Sequence, residues 1–323
     1  MSNKFLSTTS AFLLSTSILV ADIPKVTVDI APVHSLVSKV MNGVGKPDLI
    51  IPAGASPHEY QLKPSNAKSL QNADIVFWIG EDLTPWLEKG LSSLAQDASI
   101  TSLLDLSGLE LLSFREGALF EAHDHGEDHD DHDDHDHDKK KHDDHDDHDD
   151  HAHGEHDPHA WLSPQIAKIW LNVIAAKLSE VDPDNAAKYF SNAKSARDNV
   201  DSLVSEVNSI LDPIRDKKFV VFHDAYQYFE RDFGISASGA ISLGDASDPS
   251  PARLSEIRRR VVDEAVQCVL AEPQYDPGLV KSVVEGTDAK TTVIDPLGVS
   301  LETGPNLYEN LIRNLATNLA KCF

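Results

Sequence analysis

The sequence predicts an α/β protein of two lobes, each built on a parallel sheet, joined by one long helix. Three observations carry that prediction. Short apolar runs alternate with helical runs in the first third of the chain, and the same alternation resumes after residue 217. Between these regions the chain runs from Asp184 to Leu211 with neither Gly nor Pro. Segment 121–157 has no apolar residues beyond Ala122 and Ala152, so it can belong to neither core.

The first residues read as an export signal, expected to span residues 1–21. Lys4 supplies the positive start, Phe12 to Val20 the apolar stretch, and Leu19-Val20-Ala21 a cleavage site. The rival reading, an uncleaved anchor, needs about 20 apolar residues, and this stretch is shorter and broken by Ser and Thr. An N-terminal lobe is then expected over 22–181. Val26 to Ile30 alternates with period two, and Asp48 to Ile51 and Asp74 to Ile79 are short apolar runs. Helical stretches lie between them near 33–42 and 63–72. Ser163-Pro164 places a capping serine before proline at the first helical position, and apolar spacing continues that helix to about residue 180. Asp182-Pro183 repeats the start signal and opens a connecting helix of about 28–30 residues, about 45 Å long at 1.5 Å per residue, within an interlobe segment assigned to 182–216. The C-terminal lobe, 217–323, resumes with strands at 218–222, 265–271 and 291–294. Helices are expected from Ser250-Pro251 and over 305–321. Gly234 to Pro249, rich in Gly, Ser and Asp, reads as a long loop.

The chain has 323 residues and a formal charge of −25, but segment 121–157 holds 12 His, 15 Asp, 3 Glu and 3 Lys, and so carries −15 of it. The remainder is mildly acidic and has no basic stripe to neutralise phosphates, which excludes a nucleic-acid partner. The insert cannot bury enough surface to offset its ordering entropy and is expected to be disordered without metal. Its histidines, His123, His125, His129, His132, His135, His137, His142, His145, His148, His151, His153 and His156, offer weak auxiliary metal sites without preset geometry. They suit a metal-gathering or metal-sensing role. Export would place Cys268 and Cys322 in an oxidising compartment, where a pair points to a disulfide; two buried free thiols are the other reading.

Outside the insert four histidines remain. His58 follows the strand ending at Ile51, His159 stands before a helix, and His223 sits at the carboxyl end of the 218–222 strand. Asp295 sits at the end of the 291–294 strand. Ligand sites in open α/β sheets lie beyond the carboxyl ends of strands, so these residues can converge on a cleft if the lobes face each other. Three nitrogen donors and one oxygen donor suit tetrahedral Zn²⁺. His34, at the start of a helix, reads as structural or surface, and Arg258-Arg259-Arg260 as a solvated helix face, with permease docking the alternative. The chain has no His-Glu-x-x-His and no Gly-x-Ser-x-Gly, so an enzyme is not expected.

Several segments together resemble the solute-binding proteins of bacterial zinc-uptake ABC transporters, the metal-binding cluster of periplasmic binding proteins. They are Gly54 to Ser65 (GASPHEYQLKPS), Asp157 to Pro164 (DPHAWLSP), Val221 to Tyr226 (VFHDAY), Ala271 to Gln274 (AEPQ) and Asp295 to Gly298 (DPLG), with a His/Asp-rich insertion between the first and second segments. The resemblance runs from about Val26 to Cys322. It implies that His58, His159 and His223 ligate a transported Zn²⁺ and that Asp295 closes the site, with Glu59 or water as the alternative fourth ligand. It also implies a Cys268–Cys322 disulfide and a rigid connecting helix. The expected location is the periplasm, and the expected partner a membrane permease with its cytoplasmic ATPase, served by a monomer. Manganese-type relatives place a carboxylate where His223 stands, and a harder site suits Mn²⁺, so His223 argues for zinc. A zinc buffer that docks no transporter is the other reading.

Overall fold

The computed structural model describes residues 23–115, 120, 156–242 and 249–323. The expected signal segment and the histidines from His123 to His153 lie outside the described residues.

The first lobe is a parallel sheet in the order β2-β1-β3-β4, formed by β1 (Val26–Val28), β2 (Asp48–Leu49), β3 (Ile75–Trp78) and β4 (Ser99–Ser102). The central strands β1 and β3 are buried throughout, as a sheet covered on both faces requires. Helices α1 (Ala31–Val40), α2 (Pro64–Gln71) and α3 (Pro85–Leu94) connect the strands. The second lobe repeats the topology with β5 (Phe219–His223), β6 (Ala240–Ser242), β7 (Cys268–Ala271) and β8 (Lys290–Val293) in the order β6-β5-β7-β8. Between the two sheets run α4 (Pro164–Val181) and α5 (Ala186–Leu211); within the second lobe follow α6 (Gln227–Phe233), α7 (Pro251–Asp263), α8 (Pro277–Val284) and α9 (Leu307–Lys321).

Capping chemistry sets several of these starts. The Ser163 hydroxyl accepts from the Ile166 N–H at 3.1 Å, and Ser250 does the same for Arg253 at 3.2 Å. The long helix α5 holds 26 residues, about 39 Å. It buries Tyr189, Ala193, Ala196, Val200, Leu203, Val207 and Leu211, a stripe of three- and four-residue steps packed on α4, α1 and α9. Helix α1 of the first lobe also packs on α9 of the second, so one continuous apolar core runs through both lobes. Polar ties cross the same boundary. Lys39 pairs with Glu309 at 2.7 Å, and the Tyr308 N–H donates to Ser35 Oγ at 3.0 Å. A long helix packed along both lobes, over a shared core, leaves little freedom for a hinge.

Cys268 and Cys322 form a disulfide, tying the start of β7 to the tail of α9. His34 Nε2 donates to Pro47 O at 3.0 Å and Ser38 Oγ meets its Nδ1 at 3.4 Å, which holds the chain before β2. Arg258 and Arg259 are exposed, while Arg260 pairs with Glu264 at 2.8 Å. One expectation is corrected. The stretch read as a loop from Gly234 to Pro249 contains β6, a three-residue edge strand on β5. The strand read over 265–271 starts only at Cys268, because Ala265 takes a left-handed φ of 51° and ends the turn after α7.

Candidate metal centre

Each lobe has a topological switch point, where the strand order reverses between its first and third strands. In the first lobe Asp29 fills it. Its carboxylate accepts from the Ile30 and Ile79 N–H groups, both at 2.7 Å, and burial raises its pKa to about 7. In the second lobe the switch point holds His223, at the end of β5, and Glu272, just past β7. His223 Nδ1 donates to Glu272 Oε1 at 2.7 Å. That bond fixes the tautomer and leaves Nε2 as the donor atom for an ion.

The first lobe supplies the facing side. His159 precedes a short 3-10 turn (Ala160–Leu162), and Asp157 Oδ1 accepts from both its Nδ1, at 2.8 Å, and its backbone N–H, at 2.9 Å. His58 lies on the loop after β2. That loop is anchored where Trp86 Nε1 donates to Pro57 O at 2.8 Å. The His58 and His159 ring centroids are 5.6 Å apart, and those of His159 and His223 5.3 Å. His159 and His223 are only 3% and 5% exposed.

These rings line one cavity with Trp161, Glu272, Gln274, Tyr275, Pro296 and Leu297. Trp161 Nε1 donates to Pro296 O at 2.8 Å across the lobes, and Tyr275 stacks on Phe222 at 4.3 Å behind His223. The cavity volume is about 20 Å³, close to that of one water molecule. Organic ligands take pockets of about 300–1,000 Å³, so the cavity has room for no more than an ion or a water molecule. Three imidazole nitrogens favour a borderline ion such as Zn²⁺ over harder ones. Among the described residues no three His, Cys, Asp and Glu side chains are already gathered around one point. The ring spacing is nonetheless apt: imidazoles bound at about 2.1 Å and at tetrahedral angles have centroids about 5.3 Å apart.

The two carboxylates expected near the fourth position stand elsewhere. Glu59 is exposed and does not line the cavity. Asp295 lies just behind the wall. Its Oδ1 accepts from the Leu297 and Gly298 N–H groups at 3.0 and 2.9 Å, and its Oδ2 from Val299 at 2.5 Å. Sequence reasoning gave no role to Asp157 or Glu272, although both stood in quoted segments. Glu272 was within reach of the argument used for His223 and Asp295, since it too follows a strand. His156 does not line the cavity; its Nδ1 stands 3.8 Å from Asp82 Oδ2.

Behind the site, burial pushes the Asp224 carboxyl upward, while Arg115 opposes the shift. Tyr226 is held well above its ordinary value, first by burial and then by the negative charge of Glu272.

Comparison with known proteins identifies the family and the fold. The family model for ZnuA, zinc-uptake complex component A, periplasmic, matches residues 26–322. The high-affinity zinc uptake system protein ZnuA of Brucella abortus (strain 2308) is 49% identical over 303 residues, covering 92% of this chain and 91% of that one. Its namesake in Paracoccus denitrificans (strain Pd 1222) is 45% identical, covering 94% and 92%. A crystal structure of ZnuA superposes with a TM-score of 0.74 at 21% identity, covering 93% of this chain and 99% of that one. The solute-binding protein FpvC of Pseudomonas aeruginosa, in complex with Mn²⁺, superposes with a TM-score of 0.73 at 18% identity, covering 93% and 98%. The fold by itself therefore does not choose the metal.

Proposed function

The chain belongs to the ZnuA family of periplasmic zinc-uptake components, and on that premise we propose that His58, His159 and His223 hold its transported Zn²⁺. The family is one of solute-binding transport proteins rather than enzymes, and Zn²⁺ is the cargo. As the periplasmic component of a zinc transporter it works with a membrane permease. The observation that carries the site assignment is the cavity of ion size bordered by all three rings, two of them oriented by buried carboxylates.

The fourth position goes to water. Glu59 faces solvent, and Asp295 is off the cavity wall with both oxygens engaged by backbone N–H groups, so it shapes the 296–299 turn. The lobe boundaries belong to the same reading: 22–181 and 217–323 as lobes, 182–216 between them, and residues 1–21 removed on export. The protein delivers its ion as a monomer to a permease driven by a cytoplasmic ATPase. The insert's histidines gather ions weakly, because a run of alternating His and Asp has no preset ligand spacing.

Competitive chelator titration tests the assignment. Deleting residues 123–155 leaves one tight zinc site and removes the weak equivalents. Asp295→Asn stays within about tenfold of the parent protein, whereas loss of a true ligand costs far more. Loss of tight binding in the deletion would move the site into the insert. A collapse of affinity in Asp295→Asn would restore Asp295 as the fourth ligand.

A further inference from the structure

The segment that leaves β4 passes the cleft before entering the insert, and the chain returns from the insert at His156. The Asp157 N–H donates to Leu112 O at 2.8 Å, so the two ends of the insert form a hydrogen-bonded stem. That stem is fastened to helix α6 of the second lobe. Tyr228 Oη accepts from the Leu112 N–H at 3.0 Å and donates to Asp157 O at 2.9 Å. Arg231 reaches Glu110 O at 3.2 Å.

The strongest tie is Arg115. Its Nε lies 3.0 and 2.9 Å from the two Asp224 oxygens, and its Nη2 also meets Asp224. Its Nη1 and Nη2 donate to Glu230 at 2.9 and 3.0 Å. Phe120 covers the guanidinium at 3.6 Å. Arg115, Asp224 and Glu230 side chains are 15%, 8% and 5% exposed, so water competes weakly for the cluster. A forked guanidinium engaging two carboxylates fixes direction as well as distance, which a lysine cannot match.

Position gives this cluster its function. Asp224 directly follows His223, and Asp157, on the stem, orients His159. We propose that Arg115 is a positioning residue for zinc: a latch between the lobes that holds the His223 loop against the stem carrying His159 and thereby sets how slowly the ion leaves. The proposal rests on His159 and His223 being ligands. It assigns to an arginine that touches no ion the 5.3 Å spacing of two rings that do.

The test is a chelator chase on the zinc-loaded full chain, with Co²⁺ absorption as a second readout. Arg115→Met releases zinc about 10–100 times faster, the range seen when support behind a ligand is lost. Its Co²⁺ form loses intensity in the ligand-field bands as the site departs from tetrahedral. Arg115→Lys falls between. Because Arg115→Met leaves two buried carboxylates without a counter-charge, the triple variant Arg115→Met, Asp224→Asn, Glu230→Gln is measured alongside; it removes that burden and still releases zinc faster. Lys39→Met breaks the Lys39–Glu309 tie between the lobes, away from the cavity. It lowers Tm and leaves release unchanged. Wild-type release and spectra in all Arg115 variants would overturn the proposal. So would equal acceleration by Lys39→Met, which would mean general loosening of the lobes. If His223→Ala keeps tight binding, the ligand assignment itself fails. If His223→Ala abolishes it while Arg115→Met changes nothing, only the latch fails.

Discussion

In the proposed three-imidazole site, Glu272→Gln isolates the contribution of a carboxylate that orients His223 through its Nδ1. Glu272 Oε1 lies 2.7 Å from His223 Nδ1, and its side chain is fully buried. Across the imidazole, the carboxylate stands about 7 Å from an ion bound at Nε2. Charges of −1 and +2 at that distance and an effective dielectric of about 20 attract by about 5 kcal/mol. That figure is an upper bound, because burying the carboxylate beside His223 already costs part of it in the zinc-free protein. Supports of this kind in zinc sites are worth about 10–100-fold in affinity, or about 1.4–2.7 kcal/mol, and this is the expected loss. Glutamine keeps an acceptor for the Nδ1 proton, so ring orientation survives and the change reports charge. The assay is competition against a chelator of known affinity at one pH and ionic strength, with Tm of the zinc-free form as a folding control. Affinity within about twofold of wild type would show that Glu272 does not support His223. A loss beyond about 10,000-fold would make Glu272 a ligand itself and refute the three-imidazole site.

Three further outcomes concern the scaffold. Cys268→Ala with Cys322→Ala removes a cross-link spanning 54 residues and should lower unfolding stability by about 4 kcal/mol in the chain-entropy model. Zinc affinity should hold, because Cys268 opens β7 and the site lies past its far end; urea melts and a chelator titration check both. Asp29 has a folded pKa raised to about 7, so the folded state keeps a proton that the unfolded chain releases near pH 4. Its contribution to stability therefore falls as pH rises between about 4 and 7, by up to about 1.4 kcal/mol per unit. The stability of Asp29→Asn relative to wild type should rise with pH across that window, and a flat difference would contradict the assignment. Ala265→Gly relieves a left-handed φ of 51° and should raise stability by about 0.5–1 kcal/mol, read as a shift in the urea midpoint.

Much of the fold was legible because local chemistry and global packing agree. Buried parallel strands such as Ile75–Trp78 are plain apolar runs, and Ser163-Pro164 and Ser250-Pro251 announce helices through their caps. Sequence reasoning did not find α3 and α8, although Pro85 and Pro277 open them, and the other elements it did not find have weak local signals. Strand β4 reads Ser-Ile-Thr-Ser and β6 lies in a Gly- and Ser-rich stretch; both sit at sheet edges, where pairing rather than burial defines them. Helix α6 has only seven residues, too few for a period to show. The histidines were legible through motif and strand-end position. Glu272 acquires its role from a contact 49 residues away, and Arg115 from one 109 residues away. Such pairings follow from strand order and lobe docking, which no local pattern encodes.

The central claim is that one ion sits among three imidazoles drawn from both lobes. A crystal structure of the zinc-loaded protein, with anomalous scattering recorded on both sides of the zinc absorption edge, addresses it most directly. The account expects a single strong peak between the lobes, about 2.1 Å from one ring nitrogen each of His58, His159 and His223, with a water oxygen completing the tetrahedron. A peak that omits His223, or one held by Asp295 or Glu272 in its place, would contradict it.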